Sequence, residues 1–231
     1  MAGTSPPFNN TKRAPFQGAL FDMDGLLLDT ERVCMRVFNE VVSGFGLPAM
    51  PEVILACIGL RADATQKIID TALAGRVAYP TFDTEWRGQF AEALSTGIPL
   101  RPGALELLSQ LSAQGVPCAV ATSTRTASAE KHLEHAGLRG HFMAVIGGEQ
   151  VEKGKPEPDI YLKAAATLGV NAQYCAAFED SDPGALAAIA SGAMVVQVPD
   201  IKPPSADLRT KGHVIAESLL AGAREIGLIK A

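Results

Sequence analysis

Two aspartates stand two residues apart in the run Phe21-Asp22-Met23-Asp24-Gly25, and a second acidic pair, Glu179-Asp180, lies far along the chain. Thr122 and Lys155 fall between them, each in or after another short apolar run. Carboxylates, a hydroxyl and an ammonium brought into one place would suit a phosphate held by Mg²⁺. A carboxylate can attack phosphorus and form an acyl phosphate, splitting one difficult displacement into two easier steps. Nucleophile and phosphate are both anions, and a hard divalent cation between them removes the repulsion. Mg²⁺ takes oxygen ligands in octahedral geometry, usually a couple of carboxylates plus water and phosphate. Asp22 and Asp180 can supply that pair. Lys155 offers a compact positive charge to the phosphoryl oxygens, and the Thr122 hydroxyl and Ser123 backbone N–H can donate to them. Asp24 can reach over as general acid for the leaving oxygen and then as base for water. Gly25 lets the chain turn sharply beside it.

These residues need a scaffold that gathers them. Gly18 to Phe21 is a short apolar run ending at Asp22, and it reads as a buried strand. Val116 to Ala121 stops at Thr122, Phe142 to Ile146 at Gly147, and Cys175 to Phe178 at Glu179-Asp180. Met194 to Val198 and Val214-Ile215 complete the set. Helical patterns lie between them at Gly103 to Gln114, Thr126 to Ala136, Pro158 to Leu168, Gly184 to Ser191 and Glu217 to Ile226. Strands alternating with helices predict an α/β fold with a parallel sheet covered on both faces. In such a sheet, ligands bind beyond the carboxyl ends of the strands. The four strand tips at Asp22, Thr122, Gly147 and Asp180 are therefore expected to converge. One stretch breaks the alternation: residues 29–99 carry helical patterns (Thr30 to Phe45, Ala62 to Leu73, Thr84 to Ser95) and no convincing strand. It reads as an inserted helical cap, with the core formed by residues 16–28 and 100–231.

The bulk properties agree with a folded enzyme. The chain has 231 residues, 47% hydrophobic and 19% charged, an ordinary globular balance that argues against disorder. A net charge of -5 gives no electrostatic reason to expect nucleic acid or anionic membranes as partners. No apolar run approaches the ~18–20 residues that span a bilayer. Residues 1–15 read as a flexible tail without an apolar signal core, so a cytoplasmic address and a monomer are the expectations. The scattered Cys34, Cys57, Cys118 and Cys175 read as buried free thiols. His132 and His135 read as surface residues of a helix, and His141 and His213 carry no legible signal.

The run Phe21-Asp22-Met23-Asp24-Gly25 closely resembles the first motif of the haloacid dehalogenase-like superfamily. Ala119-Val120-Ala121-Thr122-Ser123 is similar to its second motif, and Gly154-Lys155-Pro156-Glu157-Pro158-Asp159 to its third. Phe178-Glu179-Asp180-Ser181-Asp182-Pro183-Gly184 is similar to the fourth. Four motifs in order, over about residues 17–227, make a strong signal where one DxD alone would not. The resemblance implies a Rossmann-like core, Asp22 as nucleophile and Asp24 as general acid/base. It implies magnesium ligands from the Asp22 carboxylate, the Asp24 carbonyl and Asp180, with Glu179 either a ligand or a partner behind the ligands. The helical insertion matches the branch with a C1-type cap, which includes beta-phosphoglucomutase, phosphoglycolate phosphatase and sugar-phosphate phosphatases. Dehalogenases of the superfamily lack the second Asp, so Asp24 points to phosphoryl transfer.

Substrate choice is expected in the cap. Ile58-Gly59-Leu60-Arg61 resembles the segment whose arginine binds the non-transferring phosphate in beta-phosphoglucomutase. Glu31 is placed at the hinge between cap and core, Arg87 is a further cap candidate, and Thr124 and Arg125 are candidates for the distal end of the substrate. The expected activity is a Mg²⁺-dependent phosphatase acting on a small phosphorylated metabolite such as a sugar phosphate. A phosphohexomutase is the alternative, sharing every core residue and differing in whether a sugar hydroxyl or water reaches the aspartyl-phosphate. A catalytically silent binding module is the alternative of another class, and the intact set of core residues argues against it.

Overall fold

The computed structural model describes residues 16–58 and 62–230. Six strands form one sheet: β1 (Gly18–Phe21), β2 (Cys118–Ala121), β3 (Ala144–Ile146), β4 (Cys175–Glu179), β5 (Met194–Gln197) and β6 (Val214–Ile215). Every pairing is parallel and the order is β3-β2-β1-β4-β5-β6. Chain order reverses beside β1, so β1 is flanked by β2 and β4, which carry two of the other motifs. A crevice opens at such a switch point.

The strands are continuous apolar runs because both faces are covered. Ala19, Phe21, Val120, Phe178 and Val196 point to one side, where they pack with Leu107, Leu108 and Leu111 of α5 (Ala104–Ala113), Leu133 of α6 (Thr126–His135) and Ala223 of α9 (Leu219–Glu225). Leu20, Ala119, Ala121, Cys175, Ala177 and Val195 point to the other, against Ile160 and Ala164 of α7 (Asp159–Thr167) and Ala185 and Ala188 of α8 (Asp182–Ala190). That two-residue alternation is the pleat of a strand. The Phe21 and Phe178 rings stack at 5.0 Å between centroids, tying together the two strands whose tips carry Asp22 and the acidic pair.

Between Asp29 and Pro99 the described residues form four helices, α1 (Thr30–Gly44), α2 (Pro51–Cys57), α3 (Ala62–Leu73) and α4 (Tyr79–Ser95). Edge-on contacts of Phe38 with Phe82 and Trp86, both at 5.3 Å, lock α1 to α4. Two connectors join this layer to the core side by side. Asp29 N–H donates to Pro99 O at 2.8 Å, and Arg101 N–H to Leu27 O at 2.9 Å. Periodicity missed α2, which is only seven residues long, and began α4 at Thr84 rather than Tyr79. Both helices carry a proline in their first turn, where its missing N–H costs nothing. No helix among the described residues is long and apolar enough to cross a membrane. The expected tail, residues 1–15, lies outside the described residues, as do Gly59, Leu60 and Arg61.

Candidate active site

The strand tips do converge. Asp22 follows β1, its N–H held by Phe178 O at 3.0 Å, and its side chain is almost wholly buried. The Lys155 ammonium lies 2.5 Å from Asp22 Oδ1 and 2.5 Å from Glu179 Oε1. Carboxylate oxygens of Asp22, Glu179 and Asp180 all approach within 4.8 Å of one another. Burial raises the Asp22 pKa to about 8; Lys155 pulls it down and the Glu179 and Asp24 carboxylates push it up. Asp180 is raised well above the ordinary carboxylate range by burial and by Glu179 and Asp22. Burial alone would lower the Lys155 pKa, but the Asp22 and Glu179 carboxylates more than offset it, and the ammonium stays charged. Buried carboxylates crowded this way with one lysine hold more negative charge than they can neutralise among themselves. An all-oxygen set of this kind fits a hard divalent cation such as Mg²⁺.

Glu179 stands apart from the other two acids. Its Oε1 accepts from Lys155 Nζ and, at 2.8 Å, from the Tyr161 hydroxyl. Its Oε2 accepts from Asp180 N–H at 3.0 Å, Ser181 N–H at 3.1 Å and Ser181 Oγ at 3.0 Å. Five donors fill the capacity of a carboxylate, about four lone-pair sites. Glu179 is therefore built to hold Lys155 and the loop after β4. Burial and the Glu179 charge raise the Tyr161 pKa well above its usual value, so the phenol keeps the proton it donates. Neither Tyr161 nor Ser181 was singled out from sequence. Tyr161 shares the inward face of α7 with Ile160, Ala164 and Ala165, and that helical spacing was the available signal.

Asp24 lies near enough for its charge to raise the Asp22 pKa. Its Oδ1 accepts from the Thr30 hydroxyl at 2.9 Å and its Oδ2 from the Thr124 hydroxyl at 2.7 Å. Thr124 thus holds Asp24, where the sequence reading gave it the distal end of a substrate. Thr122 is buried beside them, its Oγ accepting from Thr124 N–H at 3.1 Å. Ser123 is exposed at the rim, and Arg125 is exposed as the residue preceding α6. Gly25 has φ +83, and a Cβ there would collide with the Asp180 carboxylate. Only glycine permits both the left-handed turn and that close approach.

Between α1, α2, α3 and α4 on one side and Asp24, Thr124 and α6 on the other runs a cavity of about 300 Å³. Its lining includes Glu31, whose pKa is raised to about 7 by burial first and then by the Asp200 and Asp24 charges. His132 also lines it, half-buried, where a surface position was expected; burial lowers its pKa. Arg87 is not among the residues on this wall; it is exposed and paired with Asp83 one turn back on α4, the ordinary fate of a charged helix surface. Arg61 lies outside the described residues. Cys34 and Cys57 line the same cavity as free thiols, and Cys118 and Cys175 are free and buried.

The haloacid dehalogenase-like hydrolase model matches residues 19–198, most of the chain. The chain belongs to that family. Among the curated relatives is hexitol phosphatase A of Escherichia coli, 36% identical over 183 residues that cover 79% of this chain and 82% of that protein. The bifunctional riboflavin kinase/FMN phosphatase of Arabidopsis thaliana is 32% identical over 204 residues, 87% of this chain but 53% of that protein, so the chain spans about half its length. Among solved structures, a HAD family hydrolase from Deinococcus radiodurans with bound phosphate and sodium superposes with a TM-score of 0.79. It is 29% identical, and the match covers 94% of this chain and 99% of that one. Family membership makes the chain a hydrolase with the Rossmann-like α/β core of its relatives.

Proposed function

We propose that this enzyme is a Mg²⁺-dependent phosphatase that hydrolyses a small phosphate monoester through an aspartyl-phosphate on Asp22. A phosphoric monoester hydrolase is what family membership and the two phosphatase relatives support. The observation that carries the finer reading is one buried carboxylate, Asp22, held against the Lys155 ammonium, with the second acid, Asp24, near enough for its charge to raise the Asp22 pKa.

An Asp22 oxygen attacks phosphorus in line, the bond from phosphorus to the ester oxygen breaks, and the protonated Asp24 carboxyl gives its proton to that oxygen. Lys155 and the Thr122 hydroxyl stabilise charge on the phosphoryl oxygens. Water then attacks the phosphorus of the acyl phosphate while Asp24 takes its proton. The bond from phosphorus to Asp22 breaks, phosphate leaves, and Asp24 is again protonated. The Thr30 and Thr124 hydroxyls fix the Asp24 carboxyl so that it faces the leaving oxygen in both steps. Magnesium, held by Asp22 and Asp180 with the Asp24 carbonyl, would supply the positive charge that lets one anion approach another. Glu179, saturated by its own donors, positions Lys155 and Asp180.

Likeness to hexitol phosphatase A supports a phosphorylated sugar or polyol as one candidate substrate class. The mutase alternative is not better supported than the phosphatase. Asp22→Asn tests the nucleophile: with acetyl phosphate and Mg²⁺, kcat should fall by about 10³-fold or more while the protein stays folded. Turnover within about tenfold of the parent enzyme would remove Asp22 from that role.

A further inference from the structure

The proton donor and the leaving group must meet, so whatever departs from phosphorus occupies the cavity that Asp24 lines. That cavity changes character along its length. Near Asp24 it is polar, but the Thr30 and Thr124 hydroxyls there are already donated to Asp24. Toward the cap the wall is made by Met35, Ile54, Cys57, Ile58, Trp86 and Phe90. Thr65 of α3 also lines the cavity, and Trp86 Nε1 and His132 Nδ1 are buried without a hydrogen-bond partner, so few polar atoms relieve this wall. Among the described residues of the lining, the acidic side chains are Asp24 and Glu31, and lysine and arginine contribute nothing. A cavity of about 150 Å³ admits benzene, so this one, at about 300 Å³, has room for a body of one or two rings.

A polyol would suit this far wall poorly. Of the several hydroxyls of a polyol taken from water into it, most would lose hydrogen bonds that the few polar atoms of the wall do not replace. A planar apolar body would lose none, and would gain contact with the Trp86 and Phe90 rings. We infer that the substrate is a phosphate ester whose leaving group carries an aromatic or otherwise apolar body, seated against Met35, Ile54, Trp86 and Phe90. This rests on the aspartyl-phosphate reading only in taking Asp24 as the group next to the leaving oxygen.

The test compares two primary alkyl esters on the Mg²⁺-loaded enzyme, 2-phenylethyl phosphate and glucitol 6-phosphate, with acetyl phosphate as a substrate that has almost no leaving-group body. The phenylethyl ester should have a kcat/KM at least about tenfold above the glucitol ester. In Phe90→Ser and in Met35→Ser, that ratio should fall by about tenfold. Two variants on different helices guard against one failing to fold. The single tryptophan of the chain supplies a readout that needs no turnover. Saturating 2-phenylethylphosphonate should shield Trp86 from acrylamide quenching, and methylphosphonate should not. An equal or reversed preference, a ratio unchanged in both variants, or no shielding overturns the inference and leaves the phosphatase reading intact. Failure to hydrolyse any of the three substrates overturns the phosphatase reading instead, and the quenching comparison still decides the nature of the cavity.

Discussion

Glu179 shows how one buried side chain can organise its surroundings through hydrogen bonds. It gathers the ammonium of Lys155, the phenol of Tyr161, two backbone N–H groups and a hydroxyl, and it is fully buried while doing so. Removing one partner of such a network strands the others in a medium of low dielectric. Glu179→Ala should therefore destabilise the protein by ~3–5 kcal/mol, read from urea unfolding. A loss below about 1 kcal/mol would mean that water replaces the carboxylate freely. The sequence alone left Glu179 open between metal ligand and supporting partner, because both roles ask for a carboxylate beside Asp180. The contacts from Tyr161 and Ser181 support the second role. Arg87 and Thr124 show the complementary limit: a charged or hydroxylated residue near a motif is legible as a type, but the direction of its side chain is not. Arg87 turned to Asp83 on its own helix, and Thr124 turned to Asp24.

At the scale of elements, the turn after β1 sets the geometry of the proposed metal site. Gly25 reverses the chain at φ +83 and leaves room for the Asp180 carboxylate arriving from the loop after β4. Gly25→Ala adds a Cβ in a left-handed conformation, costing ~1–2 kcal/mol, and pushes against Asp180 as well. The expected result is weaker Mg²⁺ binding by calorimetry together with the loss of stability. Unchanged affinity would show that the Asp180 loop adapts without cost. Most of this element layer was legible beforehand. All six strands were anticipated because strands of a covered parallel sheet read as short, mainly apolar runs, three of them stopping at Asp22, Thr122 and Glu179-Asp180. α2 escaped because seven residues hold barely two helical turns, too few for a period to declare itself. The cavity was not legible at all, since it forms between α1, α2, α3 and α4 from one layer and α6 from the other, and its walls meet only in three dimensions.

Across the whole molecule, the crowding of acids makes stability depend on pH and on metal. Asp22, Asp180 and Glu31 all have pKa values raised in the fold, Glu31 to about 7 and Asp22 to about 8. A carboxyl group raised in the fold binds its proton more tightly folded than unfolded. Its contribution is present in full below the unfolded value, near 4, and is lost as pH climbs through the folded value. The metal-free protein should therefore show a Tm that declines from about pH 5 to pH 8. Magnesium favours the ionised carboxylates, so the Tm gain from adding it should be larger at pH 8 than at pH 6. Glu31→Gln should flatten part of the decline, raising the metal-free Tm at pH 8 by a few degrees, at roughly 2–4 °C per kcal/mol for a chain of this size, and leaving it unchanged near pH 4. A metal-free Tm that rises over the same range would contradict the burial of these acids.

The most direct measurement is to catch the covalent intermediate. Enzyme turning over acetyl phosphate with Mg²⁺ is quenched in acid and treated with borohydride, which reduces an aspartyl-phosphate to homoserine, and the peptides are read by mass spectrometry. The account predicts homoserine at position 22, dependent on substrate and absent in Asp22→Asn. Vigorous turnover with no modified residue, or modification at Asp24, Glu179 or Asp180 instead, would contradict it.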